Sequence, residues 1–441
     1  MTEQGLNHRN LALSEICSGR RKRPQSHYFM KKALSTAGIV AAGALTVQTA
    51  QAQEKPWSVS ATIRGFYDDN INTTPSGLVP GKQESYGFEL RPEASYTYST
   101  GQFEAEVSYL YSMKYYENRS NSADHRHNFG ATASYRFSPR LVIDVSEEFV
   151  IGQESEILDP ATGFTTRSTG NNIRNSASIG ALYEMTRQLA VDFNYSNYFI
   201  DYAQTGLSSR SALLDRMEHR VGADLRWAAT ETTVGLIGYS FGVRDQTAND
   251  LLVPGVTPDA RDSRSHYVYL GAEHDFTSQL QASVRAGVQY TEFPNLRSVA
   301  AAADDDTVNP YVDANVTYKF AERASAQLGV SHERAQTDLF GLAGGAPTLD
   351  SESTRVYSTI SYGFTAKITG ALNAQLQHNS FNGGASNNSK DVSFLFGANL
   401  DYDITEYLTA QAGYAFDRLD SDTALRSFTR NRVYLGLKAT F

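Results

Sequence analysis

The final stretch of the chain alternates without a break. Val433, Leu435, Leu437, Ala439 and Phe441 fall on one face of a strand, and Arg432, Tyr434, Gly436, Lys438 and Thr440 fall on the other. A strand with one apolar and one polar face ordinarily covers a core, but nothing in the sequence after Phe441 could fold over this one. The alternative is a strand whose apolar face meets lipid, in a sheet closed on itself so that no backbone group is left without a partner. That reading demands the same pattern throughout the chain.

The pattern recurs. Leu280, Ala282, Val284, Ala286, Val288 and Tyr290 oppose Gln281, Ser283, Arg285, Gly287, Gln289 and Thr291. Val312, Ala314, Val316, Tyr318 and Phe320 oppose Asp313, Asn315, Thr317 and Lys319, and Phe129, Ala131, Ala133, Tyr135 and Phe137 oppose a row of Asn, Gly, Thr, Ser and Arg. The polar rows carry too much charge to fill a dry core, so the apolar rows belong outside and the polar rows inside. Mean hydropathy is only −0.40, as expected when every second residue faces lipid. The 26 Tyr and 22 Phe suit aromatic girdles at the two membrane interfaces.

Connections come in two kinds. Short ones repeat a shape of apolar residue, then Ser, Thr or Ala, then two further residues: Phe137-Ser138-Pro139-Arg140, Met185-Thr186-Arg187-Gln188, Phe276-Thr277-Ser278-Gln279 and Ile404-Thr405-Glu406-Tyr407. Long ones, rich in Gly, Asp, Asn, Ser and Pro, lie at 69–83, 154–170, 245–262, 293–307 and 337–352. Tight turns at one rim and long loops at the other predict an all-β, antiparallel up-and-down transmembrane barrel, with short periplasmic turns and longer extracellular loops. Eighteen strands are predicted, beginning at 57–68, including 213–227, 353–367 and 390–403, and ending at 427–441, with sixteen as the alternative if one hairpin is spurious. No loop stands out in length as a single fold-in constriction would, so an open lumen is expected unless several loops pack together.

The N-terminal region reads differently. Lys31 and Lys32, an apolar run from Ala33 to Val47 and Ala50-Gln51-Ala52 form the three parts of a cleavable export signal over 30–52. Residues 1–29, with Cys17 and the cluster Arg20-Arg21-Lys22-Arg23, read as an extension ahead of Met30 as initiator, leaving 53–441 as one barrel domain. Residues 1–52 hold seven basic and two acidic residues, so the remainder has a net charge of −14, which argues against a nucleic-acid partner.

Three stretches carry a family resemblance. Phe66-Tyr67-Asp68-Asp69-Asn70-Ile71 and Glu89-Leu90-Arg91-Pro92-Glu93, with the closing Asn431-Arg432-Val433-Tyr434-Leu435-Gly436-Leu437, resemble the β-barrel porin family of outer-membrane proteins associated with exopolysaccharide loci. The ending Tyr434, Gly436, Ala439, Phe441 resembles the terminal signal read by the outer-membrane barrel assembly machinery, with Ala439 smaller than usual. The resemblance implies an outer-membrane conduit, with lipid and the assembly machinery as partners and secreted polysaccharide or small hydrophilic solutes as cargo. A non-conducting scaffold or surface adhesin is the alternative.

Alternation places Arg91, Glu93, Asp144, Glu148, Arg174, Asp192, Arg216, Glu218, Arg220, Asp224 and Arg285 in the lumen, where as a set they bias which solutes pass. Tyr267, Tyr269 and Tyr407 are also placed inward, as sugar-stacking rings or as structural filling. Asp68-Asp69-Asn70 and Asp304-Asp305-Asp306 read as cation ligands or, more simply, as turn and loop residues. His125 and His127 share a face but lack a third ligand, so a rim position suits them better than a metal. No nucleophile elbow, zinc spacing or phosphate loop occurs, so neither an enzyme nor a cofactor is expected.

Overall fold

The computed structural model describes residues 55–79, 81–119, 123–153, 156–158, 165–168, 170–301 and 303–441. The predicted export signal and the extension before it lie outside these residues, as does part of the 154–170 loop. Eighteen strands form the wall: β1 Trp57–Asp68, β2 Ser85–Ser99, β3 Phe103–Tyr116, β4 Ala123–Ser138, β5 Leu141–Gly152, β6 Asn172–Glu184, β7 Leu189–Tyr202, β8 Arg216–Ala228 and β9 Thr233–Gln246. The second half continues with β10 Ser263–Asp275, β11 Leu280–Glu292, β12 Asp306–Ala321, β13 Ala324–Ala335, β14 Asp350–Gly363, β15 Ile368–Asn382, β16 Lys390–Asp403, β17 Leu408–Ser421 and β18 Phe428–Thr440. Each pairs antiparallel with the next, and β18 pairs back onto β1 from Ser60↔Thr440 to Asp68↔Arg432. The sheet is closed. Two short hairpins, Glu156–Leu158 with Thr165–Ser168 and Leu342–Ala343 with Ala346–Pro347, stand outside it.

Register sorts the side chains into two sets. In β11, Val284 lies beside Ala272 and Ala314, and Val288 beside Val268, while Arg285 lies beside Gly271 and Asp313. The apolar set is open to the surroundings: Leu435 is 71% exposed and Leu270 64%. Rows of this kind on every strand form a continuous apolar band that water would not tolerate, which fits a lipid-facing wall. No helix among the described residues is long and apolar enough to cross a membrane; the strands cross.

The short turns repeat one piece of chemistry. The Thr186 hydroxyl accepts the backbone N–H of Gln188 and Leu189 at 3.1 and 3.0 Å. Thr277 does the same for Gln279 and Leu280, Thr365 for Lys367 and Ile368, and Ser138 for Arg140 and Leu141. A hydroxyl at this position satisfies donors that a tight reversal leaves without ladder partners, which explains the recurring Ser or Thr.

The closing seam joins the first and the last of the stretches that carried the resemblance. Asp68 is buried and receives both Nε and Nη2 of Arg430, and Asp69 accepts the Asn431 backbone N–H at 2.6 Å and its amide at 2.8 Å. Asn70 donates to the carbonyls of Thr74 and Thr429. The Asp-Asp-Asn run leads out of β1 into a turn, with Thr73 donating to the Asn70 carbonyl at 3.0 Å, and its two carboxylates are engaged by Arg430 and Asn431. It fastens the first strand to the last.

Candidate functional site: the barrel lumen

Which face is the interior follows from contacts between strands that are not neighbours. Arg64 of β1 donates to Gln411 of β17 at 2.9 Å, and Arg220 of β8 lies 3.5 Å from Glu333 of β13. Only the concave side lets such strands meet. All of these residues belong to the polar set.

Along β8–β13 the wall curves tightly around a layer of charge and rings. The Arg220 guanidinium lies over the Tyr267 ring at 3.9 Å and faces Tyr311 at 5.8 Å, and Tyr267 and Tyr311 meet edge to face at 5.3 Å. Tyr269 donates to Asp224 at 2.6 Å, and Arg285 lies 3.6 Å from the other oxygen of the same carboxylate. Toward the periplasmic end, Arg226 is fully buried between Glu273 at 2.6 Å and Asp192 at 3.5 Å. Toward the extracellular end, Glu218 lies 2.7 Å from Arg216 and 3.2 Å from Arg244. Each of these charges on β8–β11 has an opposite partner, as burial in a region of low dielectric requires.

The β1–β5 wall is more open. Glu89 lies 3.6 Å from Arg91 and 3.7 Å from Arg64, and Lys438 reaches Glu93 at 3.8 Å. Glu148 accepts from Asn128 at 2.7 Å, and Asp144 lines the same strand two turns of alternation away. Glu104 and Glu106 on β3 are exposed on this inward face. The open wall therefore leans acidic, while the curved wall pairs its arginines.

The structure thus brings Arg216, Glu218, Arg220, Asp224, Asp192, Arg285, Tyr267 and Tyr269 into one connected layer and sets Arg91, Glu93, Asp144 and Glu148 on the opposite, more open wall. Arg174 is buried on β6, 3.4 Å from Asn172. Tyr407 is the exception among the predicted lumen residues. Its chain reverses at 404–407 before β17 begins at Leu408, and the ring is 58% exposed at the periplasmic rim. Alternation places a side chain only inside a strand, and the Thr405 hydroxyl, which accepts the Tyr407 N–H at 3.2 Å, holds this residue in the turn. Among the terminal-signal residues, Tyr434 points inward beneath Arg64 at 4.3 Å and donates to Asn399, while Phe441 bonds through its backbone to Val59.

Several extracellular loops pack together. The segment 203–215 contains α1 (Arg210–Leu214), capped by Ser209, and 293–305 contains α2 (Leu296–Val299). Ala212, Leu252, Val256 and Ala260 form one buried apolar cluster, and Phe293, Leu296, Ala300 and Leu349 form another. Arg261 joins them. It is 1% exposed and donates to three backbone carbonyls on two other loops: Leu213 at 3.0 Å, Thr337 at 2.8 Å and Leu349 at 3.3 Å. Burial lowers its pKa to about 10. Arg426 extends the ties to Asp338 at 2.6 Å and Asp391 at 2.7 Å. Segments anchored from β7 to β18 thus interlock into a canopy. Sequence reasoning had no access to Arg261 or Arg426, since each is an isolated arginine in a polar loop.

Of the other candidates, Asp305 pairs with Arg297 at 2.7 Å, and Asp306 accepts the Tyr290 hydroxyl. Among the described residues, no group of three His, Cys, Asp or Glu is placed to hold a metal ion.

Comparison with known proteins adds the following. Residues 343–441 match the family model described as "Putative beta-barrel porin 2", the family that the sequence motifs resemble. No curated protein sequence matches the chain. Among solved structures, the chain is similar to OccAB4 of Acinetobacter baumannii (TM-score 0.41, 13% identity, covering 88% of this chain and 99% of that one). It is also similar to OpdK of Pseudomonas aeruginosa with vanillate (TM-score 0.43, 13% identity, 87% and 99% covered) and to the FrpB iron transporter from Neisseria meningitidis (TM-score 0.42, 9% identity, 88% and 83% covered).

Proposed function

We propose that this porin-like outer-membrane β-barrel is a passive conduit, and that its cargo is an exported exopolysaccharide chain. The closed wall of eighteen strands with a hydrophilic interior is the observation that carries the conduit reading, since barrels of this size leave room for water. The family match over residues 343–441 supports it. The polysaccharide version draws on the resemblance and on the lumen's chemistry, which includes the rings of Tyr267, Tyr269 and Tyr311 beside the amide of Gln289 and the hydroxyls of Ser265 and Thr291. The acidic lean of the β1–β5 wall favours neutral or cationic solutes over anions.

Planar-bilayer recordings of the purified barrel test the conduit: discrete conductance steps are expected, with cations favoured in a salt gradient. Added exopolysaccharide oligomers should then interrupt the current. Steps without interruption would remove the polysaccharide and leave a general channel. The canopy over the extracellular mouth favours a second reading, a non-conducting scaffold or adhesin. A barrel that gives no steps, both intact and with the canopy loosened, would establish that reading instead.

A further inference from the structure

Seven histidines lie among the described residues, and all seven stand on the lipid-facing side of the wall. His127 continues the row of Phe129, His219 that of Val221, His266 that of Val268 and His378 that of Leu376. Six of them, His125, His127, His219, His266, His332 and His378, fall two to four residues from the extracellular end of their strands. Only His274 lies near the periplasmic end. That rim carries Trp57, Tyr98, Phe137, Trp227, Phe320 and Phe364 instead. The two membrane interfaces are therefore built differently, and imidazoles mark the outer one.

Four of the six share one arrangement. A tyrosine hydroxyl on the preceding strand lies against the imidazole Nδ1: Tyr109 with His127 at 2.9 Å, Tyr111 with His125 at 2.7 Å, Tyr195 with His219 at 2.9 Å and Tyr239 with His266 at 2.8 Å. At His219 the proton's position follows from the neighbours. The Asn197 amide nitrogen donates to the Glu218 carbonyl at 3.2 Å and lies 3.2 Å from His219 Nδ1, which makes Nδ1 an acceptor. The ring proton then sits on Nε2, on the far side of the ring. At the other three the tyrosine hydroxyl stands where it can donate to Nδ1 in the same tautomer. His332 differs, because its Nε2 already lies 3.1 Å from Glu352.

We propose that these four Tyr–His pairs are a contact for the phosphate groups of outer-leaflet lipid, each Nε2–H donating to a phosphate oxygen. A donor on an amphipathic ring at this depth suits an anionic headgroup above an apolar tail. On the outer face beside the His266 pair stand Arg264 and, next to it, Glu292 and Asp306, so the contact there is carried by the imidazole N–H and not by net positive charge. The assignment rests on the outer-membrane reading of the fold but not on conduction, so a barrel that fails to conduct leaves it standing.

The test uses the full refolded chain in detergent at one fixed pH, with binding of lipid A compared against lipid A stripped of both phosphates by native mass spectrometry. Wild type should prefer the phosphorylated form by roughly tenfold or more, the scale of a charge-assisted hydrogen bond. The fourfold variant His125→Phe, His127→Phe, His219→Phe, His266→Phe keeps aromatic area at the interface and should bind both forms alike. If it does not refold, His219→Phe with His266→Phe should lose part of the preference. A wild type without preference, or variants that keep it in full, would overturn the assignment.

Discussion

Val284 offers a quantitative test of which face meets lipid. It is the fifth residue of β11, 44% exposed, flanked across the sheet by Ala272 and Ala314. The nearest strand end is four residues away, roughly 14 Å of extended chain, so an arginine placed there starts well inside the hydrocarbon. Neither alanine neighbour offers a partner. The cost near the bilayer midplane is about 2–4 kcal/mol, or roughly 30- to 900-fold in the folding equilibrium. The matched control must point inward at similar depth. Gln289 is the obvious choice by alternation, but it is 1% exposed, donates to Ser265, Tyr267 and Thr291, and accepts the Arg334 backbone N–H. Enlarging it would break that network. Asn315 on β12, beside Ser283 and Gly329 and only partly buried, is the better control. Urea titration in large unilamellar vesicles, followed by heat-dependent gel migration, should show Val284→Arg destabilised by the stated amount and Asn315→Arg within about 1 kcal/mol of wild type. Equal losses, or the reverse order, would refute the face assignment.

Other consequences follow from the buried charges. Arg226→Ala leaves Glu273 and Asp192 without their cation in a buried setting and should cost about 3–5 kcal/mol in the same titration; a loss below about 1 kcal/mol would contradict the pairing. Arg261→Ala strands three loop carbonyls, at about 1–3 kcal/mol for each buried group left without a partner, and should open the canopy locally. Limited proteolysis should then cut within 203–215, 247–262 or 336–349 while the barrel stays intact, and an unchanged digestion pattern would show that Arg261 does not hold the loops. Burial raises the pKa of Asp215 and of Asp262 to about 6, from 3.8, in the segments that join the canopy to β8 and β10. A raised carboxyl binds more protons folded than unfolded, so canopy stability should fall as pH climbs from about 4 to about 6 and level off above. Hydrogen exchange of these loops across that range should speed up with pH beyond the intrinsic chemical trend; protection that rises instead would reverse the sign.

Much of the wall was legible because one physical rule, alternation between lipid and water, governs nearly every strand. β1 and β16 begin and end where the pattern places them, and the eighteen-strand count holds. The misplacements have local causes. β14 was expected at 353–367, but the chain pairs from Asp350, where Ser351 and Ser353 look like loop, and turns at Phe364, whose ring prolongs the apolar row. β8 was expected to start at Leu213, yet Ser209 accepts the Ala212 N–H and winds 210–214 into α1, which packs Leu214 against Tyr198, Ile200 and Tyr202 of β7 instead of placing it in a strand. The lumen was legible as a face but not as a site. Which arginine meets which carboxylate depends on how sharply the wall bends, and Arg220 with Glu333 lies 113 residues apart. The acidic run 68–70 was read without its partner, because Arg430 and Asn431 sit at the other end of the chain.

The described barrel contains no cysteine, the single Cys17 lying before it, so single cysteines can be placed one at a time along β11 in a Cys17→Ser background. Reaction with a water-soluble maleimide and quenching by lipid-borne nitroxide, read on a fluorophore at each position in vesicles, measures which side chains of the wall face water and which face lipid. Positions 281, 283 and 285 should react from water and resist quenching, and 282, 284 and 286 should do the opposite. A profile without period two, or one with the two sets exchanged, would contradict it.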